Sequence, residues 1–184
     1  METPDVDLIS KCLNGDNDAF CVLVTRYKKL IYSVVYNMIN NKEEVNDIVQ
    51  EVFIKIYSAL DKYNPEYKFS TWAVRIATNC CLDYIRKKRI DAISIEEAIG
   101  VSDNIDTPEE EYIKNEKKKR INDELNRLPE KYRIPLILFH KNGLSYDEIA
   151  QVLKEPMSIV KNRLYRASLM LRESLSSERE EGIL

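Results

Sequence analysis

Apolar residues recur at helical spacing along most of this chain, and the residues that interrupt helices are scarce. Only four glycines and six prolines occur among 184 residues. Between Asp5 and Asn40 the apolar side chains fall three or four positions apart, which places them on one face of a helix. No segment sustains the alternation of apolar and polar residues that is typical of a half-buried strand. The chain is therefore predicted to be all-α.

Turn and capping residues divide this pattern into separate helices. Asn14-Gly15-Asp16 separates a short first helix from a long second one. A third helix fits Lys42–Tyr63, and Ser70 suits the N-cap of a fourth that runs to the basic cluster Arg86–Arg89. Four helices of this size enclose one core, so residues 1–90 are predicted to form a first domain.

A second helical domain is predicted over residues 108–184. Its first two helices fit Glu109–Leu128 and Pro129–His140, with a kink expected at Pro135 and a helix end at Gly143. The capping-box pattern Ser145-Tyr-Asp-Glu148 then opens a short helix that ends at Leu153. Pro156 suits the first turn of a last helix that reaches about Leu175.

Charge is strongly segregated along the chain. Residues 91–116 contain nine acidic residues and one basic residue, a net charge of −8. Because the whole chain carries −3, the remainder carries +5. The sequence therefore predicts two mildly basic domains joined by a flexible acidic linker, residues 91–107.

The segment from about Leu144 to Arg172 has the layout of a helix-turn-helix, a short helix followed by a longer basic one. Ile149 and Val152 are predicted to pack against Ile159, Val160 and Leu164. The outer face of the second helix offers side chains that bind phosphates and base edges in a major groove. This face predicts duplex DNA binding, although an ordinary solvated basic helix has the same pattern.

Several other classes of protein are disfavoured. No apolar run is long enough for a membrane span, and the acidic N-terminus does not suit a secretory signal, so the cytoplasm and no membrane insertion are expected. The four cysteines lack metal-binding spacing and His140 is the only histidine, so we expect no metal, no cofactor and buried reduced thiols. No phosphate loop or nucleophile motif supports an enzyme.

Motifs in both predicted domains resemble one family, the bacterial sigma-70 factors of RNA polymerase. Leu144–Leu153, Val160–Arg166 and the lead-in Leu128–Arg133 resemble its fourth conserved region. Asp47–Phe53 resembles the polymerase-binding helix of its second region, and the segment from Phe69 to Lys87 resembles the promoter-melting helix. The short chain, with only the acidic linker between the two domains, resembles the extracytoplasmic-function (ECF) class. The resemblance implies promoter-directed transcription initiation without enzymatic activity.

The resemblance also implies where the partners bind. Core RNA polymerase is expected at Asp47, Gln50, Glu51, Phe53 and Ile54. The melted single strand of the proximal promoter element is expected at Tyr63, Asn64, Lys68, Trp72, Arg75, Asn79, Asp83, Arg86 and Lys87. The duplex of the distal element is expected at Ser158, Ile159, Lys161, Asn162, Arg163, Tyr165 and Arg166.

Some of these assignments have an alternative. Trp72 is either a core residue or a support of the melting site. The helix face around Asp47 suits a solvated acidic surface as well as an interface. The acidic linker is either a plain spacer or a mimic of the nucleic-acid backbone in the RNA exit channel, the place the resemblance implies. An anti-sigma partner is also implied.

The sequence departs from the family pattern near the predicted turn. Lys154 stands where the family usually has glycine, but a non-glycine residue can adopt the left-handed conformation at modest cost. Ser158, Ile159 and Asn162 also differ, so the promoter sequence does not carry over from relatives. A free-standing helix-turn-helix repressor or activator is the alternative function.

Overall fold

The computed structural model describes residues 3–39, 41–94 and 121–180, and within them it contains helices and turns but no strand. An all-α fold is thereby confirmed. A 3₁₀ turn at Leu60–Lys62 lies between the third and fourth helices. The α-helices, in chain order, are α1 (Asp5–Leu13), α2 (Asn17–Ile39), α3 (Lys42–Ser58), α4 (Phe69–Ser94), α5 (121–127), α6 (Glu130–His140), α7 (Tyr146–Leu153) and α8 (Met157–Glu180).

The four N-terminal helices form one core. Helix α2 lies at its centre and packs against α1, α3 and α4. Ile31, Val34 and Val35 at its centre are fully buried. Each such side chain contributes about 1.5–3 kcal/mol relative to an exposed one, so this face dominates the local stability. Asp5 of α1 accepts hydrogen bonds from the side chains of Arg26 and Tyr27, which fixes α1 against α2.

Three predicted helix boundaries in this half are wrong by a few residues. Helix α3 ends at Ser58 rather than Tyr63, because Ala59 leaves helical geometry (φ −117°, ψ 10°) and a 3₁₀ turn follows. Ser70 is not the N-cap of α4, because the helix already includes Phe69 and the carbonyl of Lys68 accepts from the amide of Trp72. Helix α4 also continues to Ser94, into the predicted linker.

The C-terminal helices, α5 to α8, hold the predicted helix-turn-helix. Helix α6 continues through the buried Pro135, and Gly143 (φ +70°) reverses the chain after it. Ser145 and Glu148 form the predicted capping box at the start of α7. Helix α8 begins at Met157, one residue later than predicted, and runs on to Glu180. The helix start predicted at Thr107-Pro108 and most of the predicted linker lie outside the described residues.

The two sets of helices touch each other. Helix α7 packs on α4, and α6 contacts α2. Asn142 donates from Nδ2 to Oγ of Ser33 at 3.2 Å, and Nζ of Lys68 lies 2.9 Å from Oε1 of Glu148. The covered part of α4 is its N-terminal end, next to the loop that the sequence assigns to the melted strand.

The sequence also predicts buried thiols and no membrane span. Among the described helices, none is long and apolar enough to cross a bilayer. Cys12, Cys80 and Cys81 are buried as predicted, whereas Cys21 is exposed. Burial raises the pKa of Cys81 to about 12, so its thiol stays protonated at neutral pH.

Candidate nucleic-acid interface

The packing of α7 on α8 orients the predicted recognition helix. Ile149 and Val152 of α7 are buried against the face of α8 that carries Val160 and Leu164. Ile159 was predicted to join this contact, but it is 41% exposed because it lies beside the buried stripe that Val160, Leu164 and Ala167 form on α8. The helix thus buries one apolar stripe and leaves its other face open.

That open face carries most of the residues predicted to read duplex DNA. All of the following are exposed: Ser158, Ile159, Lys161, Asn162, Tyr165 and Arg166. Tyr165 is 66% exposed and places an aromatic ring among these polar side chains. Hydroxyl, amide and cationic groups on one helical face match the donors and acceptors of a major groove.

The turn between α7 and α8 depends on a left-handed residue. Lys154 has φ +53° and ψ +44°, and among the described residues it is the only non-glycine residue with positive φ. The amide of Glu155 then donates to the carbonyl of Ala150 at 3.0 Å, which closes the turn. The prediction that Lys154 keeps the motif intact is confirmed.

Arg163 and Arg166 have different surroundings, although both were predicted to bind DNA. Nη1 of Arg163 lies 2.9 Å from Oε2 of Glu155, and the two side chains are each about a quarter exposed (26%). Arg163 therefore braces the turn from the flank of α8. Arg166 lies beside Tyr132, and their hydrogen bond lowers the pKa of the Tyr132 hydroxyl. Arg166 remains exposed and available to a ligand.

The face of α3 predicted to bind polymerase is open. Asp47, Gln50, Glu51 and Ile54 are exposed, and Ile54 is 65% exposed. Phe53 is partly buried against the core, so its ring borders this face rather than projecting from it. Glu51 pairs with Lys55 at 2.6 Å, one turn along the same helix. The surface thus combines carboxylates and an amide with one bare aliphatic side chain.

The loop before α4 carries an aromatic cluster. The ring of Tyr63 packs edge-on against Phe69 and Trp72, with centroids 5.5 and 5.4 Å away. Trp72 is 7% exposed, which supports its interpretation as a core residue. The Tyr63 hydroxyl donates to the carbonyl of Tyr67 at 2.6 Å, and Asn64 accepts from the amide of Glu66 at 3.0 Å. These bonds shape the loop and leave the ring of Tyr67 outside the cluster.

Helix α4 places its remaining predicted residues on an accessible face. Asn79, Asp83, Arg86 and Lys87 are exposed, and Arg75 is half-buried nearer the loop. Arg86 and Asp83 are 3.8 Å apart, an exposed pair that contributes little in water. The spacing of Asn79, Asp83 and Arg86 keeps them on one side of the helix.

A cavity of about 300 Å³ lies between this loop, the start of α4 and α7. It includes three predicted residues, Asn64, Trp72 and Arg75. It also includes five residues that were not predicted to bind nucleic acid: Lys62, Tyr67, Thr71, Gln151 and Lys154. The lysines and aromatic rings of the loop were a visible signal for Lys62 and Tyr67. No local pattern indicated that Gln151 of α7 and Lys154, which follows that helix, would line this cavity.

Comparison with known proteins decides the family. Residues 23–90 match the profile of Sigma-70 region 2, and residues 118–171 match that of Sigma-70 region 4. Over 177 residues the chain is 37% identical to the ECF RNA polymerase sigma factor SigW of Bacillus subtilis, covering 91% of this chain and 94% of the relative. The chain belongs to the ECF sigma factors. The ECF RNA polymerase sigma-E factor of Escherichia coli K12 is 34% identical over 172 residues, covering 89% of this chain and 90% of that protein.

Solved structures agree with this assignment at the level of the fold. CnrH, solved in complex with the cytosolic domain of CnrY, superposes with a TM-score of 0.71 at 24% identity, over 95% of this chain and 98% of CnrH. The sigma factor RpoE of Bartonella quintana, solved with the anti-sigma factor NepR, gives 0.66 at 18% identity, over 85% of this chain and 96% of RpoE.

Membership of the family establishes the function of the chain. It is a sigma factor that binds core RNA polymerase and directs transcription initiation at promoters. A free-standing helix-turn-helix regulator is not favoured, because its DNA binding would not account for the match of residues 23–90 to Sigma-70 region 2.

Proposed function

We propose that three separate surfaces of this sigma factor divide its work. Helix α3 binds core polymerase, the loop before α4 together with α4 holds the melted strand, and α8 reads the duplex of the distal element. The observation that carries the proposal is the exposure pattern. At each surface most of the polar and cationic side chains are open, while each helix buries a separate apolar stripe in the core. The domain bounds 1–90, 91–107 and 108–184 belong to this proposal.

The α3 surface suits a protein partner better than a nucleic acid. Asp47 and Glu51 are acidic, so a phosphate backbone would be repelled. Ile54 and the edge of Phe53 supply the apolar area that a protein interface buries at its centre. The ion pair between Glu51 and Lys55 is exposed and contributes little stability. Glu51 can therefore leave Lys55 and bind a basic residue of the partner at little cost in free energy.

The loop and α4 suit a single strand. Tyr67 offers an exposed ring for base stacking, worth about 1–3 kcal/mol per base. Lys68, Arg75, Arg86 and Lys87 supply cations for the backbone on the same side of the protein as the loop and its helix. Tyr63 and Trp72 act differently, because their rings pack on each other and hold the loop in shape.

Helix α8 suits an intact duplex. Lys161, Asn162 and Arg166 project from its open face, where an arginine or asparagine can bind a base edge through two hydrogen bonds. Arg163 has a positioning role instead, because Glu155 holds it against the turn.

The remaining proposals concern setting and chemistry. The sigma factor acts without enzymatic activity, in the cytoplasm, and the polymerase performs the chemistry. An anti-sigma partner stays a prediction, because the RpoE–NepR complex is similar to this chain in fold alone.

The polymerase surface is tested by binding of the purified chain to core polymerase. The double variant Glu51→Lys with Ile54→Asp should weaken association at least tenfold, because it reverses one charge and adds another to the apolar centre. Lys11→Glu, at an exposed position on α1, is the charge-changing control and should bind as the unaltered chain does. If the double variant folds, binds DNA through α8 and still associates normally with core, α3 is not the polymerase surface.

A further inference from the structure

The cavity between the loop, α4 and α7 is lined by positive charge. Lys62 ends the 3₁₀ turn, Arg75 belongs to α4 and Lys154 follows α7, and all three line the cavity. Among the described residues that line it none is acidic, and in the part of the chain that the structure describes none of the three cations forms an ion pair. Like charges around a recess repel each other and focus a positive potential into it. The cavity therefore favours an anion.

Polar and aromatic groups lie beside these cations. The exposed amide of Gln151 and the hydroxyl of the buried Thr71 both line the cavity, and each can bond to a sugar or phosphate oxygen. Tyr67 is 48% exposed and also lines it. An exposed aromatic ring stacks on any nucleobase, since every base has a π-face. The cavity thus combines groups that bind a base with groups that bind phosphate.

Both walls of the cavity are held by hydrogen bonds of their own. On the loop, the hydroxyl of Tyr63 donates to the carbonyl of Tyr67 at 2.6 Å. On the opposite wall, the amide of Glu155 donates to the carbonyl of Ala150 at 3.0 Å, which fixes the backbone around Lys154. Walls that are already formed reduce the conformational entropy that is lost when a ligand binds.

The size and the charge of the cavity indicate a small ligand with about three negative charges. Its volume of about 300 Å³ lies at the lower end of the ~300–1,000 Å³ that ligand sites enclose. A terminal phosphate carries about −1.5 to −2 at neutral pH, so a nucleoside diphosphate carries about −3 in total. We propose that the cavity binds a free nucleoside diphosphate. Its base stacks on Tyr67, and its phosphates lie among Lys62, Arg75 and Lys154.

The proposed ligand site extends beyond the surface assigned to the melted strand. Tyr67 and Arg75 belong to both, so one nucleotide of a strand could supply the same chemistry. Gln151 and Lys154 belong to the cavity alone, because they come from the C-terminal helices. A free nucleotide contacts both sets of helices, whereas a strand on the loop and α4 needs neither of these two residues. Substitutions at Gln151 and Lys154 therefore separate the two sources.

The site is tested by isothermal titration calorimetry of the full chain with ADP and with CDP. Both should bind with a Kd on the order of 10 µM, since stacking tolerates either base. Pyrophosphate, which lacks the base, and adenosine, which lacks the phosphates, should each bind about tenfold more weakly or worse. Pyrophosphate bound as tightly as ADP would show an adventitious anion site only. That result, or no binding of ADP at about 1 mM, overturns the proposal.

Two variants show whether the C-terminal helices take part in binding. Gln151→Glu, at an exposed position, brings a negative charge to the cavity and should weaken ADP binding by about tenfold. Lys154→Gly removes one cation where glycine adopts the left-handed backbone freely, and it should weaken binding by about threefold. Lys11→Ala, at an exposed position on α1 that does not line the cavity, is the control and should bind ADP as the unaltered chain does. Unchanged affinity in both cavity variants overturns the proposal.

Hydrogen exchange of the unaltered chain tests the two-sided contact without any substitution. Saturating ADP should slow exchange at residues 62–67 of the loop and at residues 153–155 of the turn after α7. Protection confined to the loop is what a nucleotide of a strand would give, and it overturns the assignment to a free ligand. Polymerase and promoter DNA are absent from these measurements, so failure of the ligand site leaves the proposed function standing.

Discussion

Lys154 occupies a backbone conformation that its side chain disfavours. With φ +53° and ψ +44° it lies in the left-handed region. That region costs an ordinary L-residue about 1–2 kcal/mol, whereas glycine enters it freely. Glycine in turn loses about 0.5–1 kcal/mol through the greater entropy of its unfolded chain. Lys154→Gly should therefore stabilise the C-terminal helices by about 0.5–1 kcal/mol.

The assay is thermal or urea unfolding of the full chain, followed by circular dichroism. For a chain of this size the gain corresponds to about 1–4 °C in Tm. Lys154→Asn should fall between glycine and lysine, because asparagine tolerates the left-handed region. Lys154→Val should be the least stable, because β-branched residues tolerate it least.

The order of these variants also controls for the charge of Lys154, which all three substitutions remove. If electrostatic repulsion in the cavity dominated, glycine, asparagine and valine would stabilise the chain equally. A valine variant as stable as the glycine variant would show that the left-handed conformation does not govern stability at this position.

Three further predictions concern α7 and α8. Ser145→Ala should lower the free energy of unfolding by about 0.5–2 kcal/mol in urea unfolding, because it removes the N-cap of α7. Ser158→Ala is the control and should change this free energy little, because Ser158 is exposed and is not the N-cap of a helix. Arg166→Ala should weaken binding to a distal-element duplex by about 1–3 kcal/mol in a titration, while Arg163→Ala should mainly lower stability; equal binding losses would contradict the distinction. Bonds from Ser145 and Lys68 lower the pKa of Glu148 below 4.5, so its stabilisation is present above that pH and is lost as pH falls through the folded value. Glu148→Gln should accordingly reduce the difference in the free energy of unfolding between pH 7 and about pH 3. An unchanged difference would show that ionised Glu148 does not stabilise the fold.

Local features of the fold were readable from the sequence because local residues determine them. The capping box at Ser145 and Glu148 requires only a spacing of three residues, and the break at Gly15 requires only a turn residue. The end of α3 was predicted five residues too late, because Tyr63 continues the apolar pattern of the helix although it lies in the loop that follows. Its ring packs against Trp72 across the loop instead of extending the helix.

The site was predictable as a set of surfaces but not in its contacts. Exposure of Asn79 and Arg166 followed from helical periodicity. The pairing of Arg163 with Glu155 across the turn did not follow from periodicity. Periodicity shows which residues share a helix face but not which cation a carboxylate in the preceding turn contacts. The approach of Gln151 to Arg75 depends on how two distant parts of the chain pack, and no spacing in the sequence encodes that.

As an ECF sigma factor, this chain directs core RNA polymerase to its promoters. The direct measurement is transcription in vitro from fragmented genomic DNA by core polymerase, with and without the purified chain, followed by mapping of the 5′ ends. We expect a discrete set of start sites that appears only when both are present. Specific duplex binding by the chain alone, with start sites that do not depend on it, would contradict this function and identify a free-standing regulator.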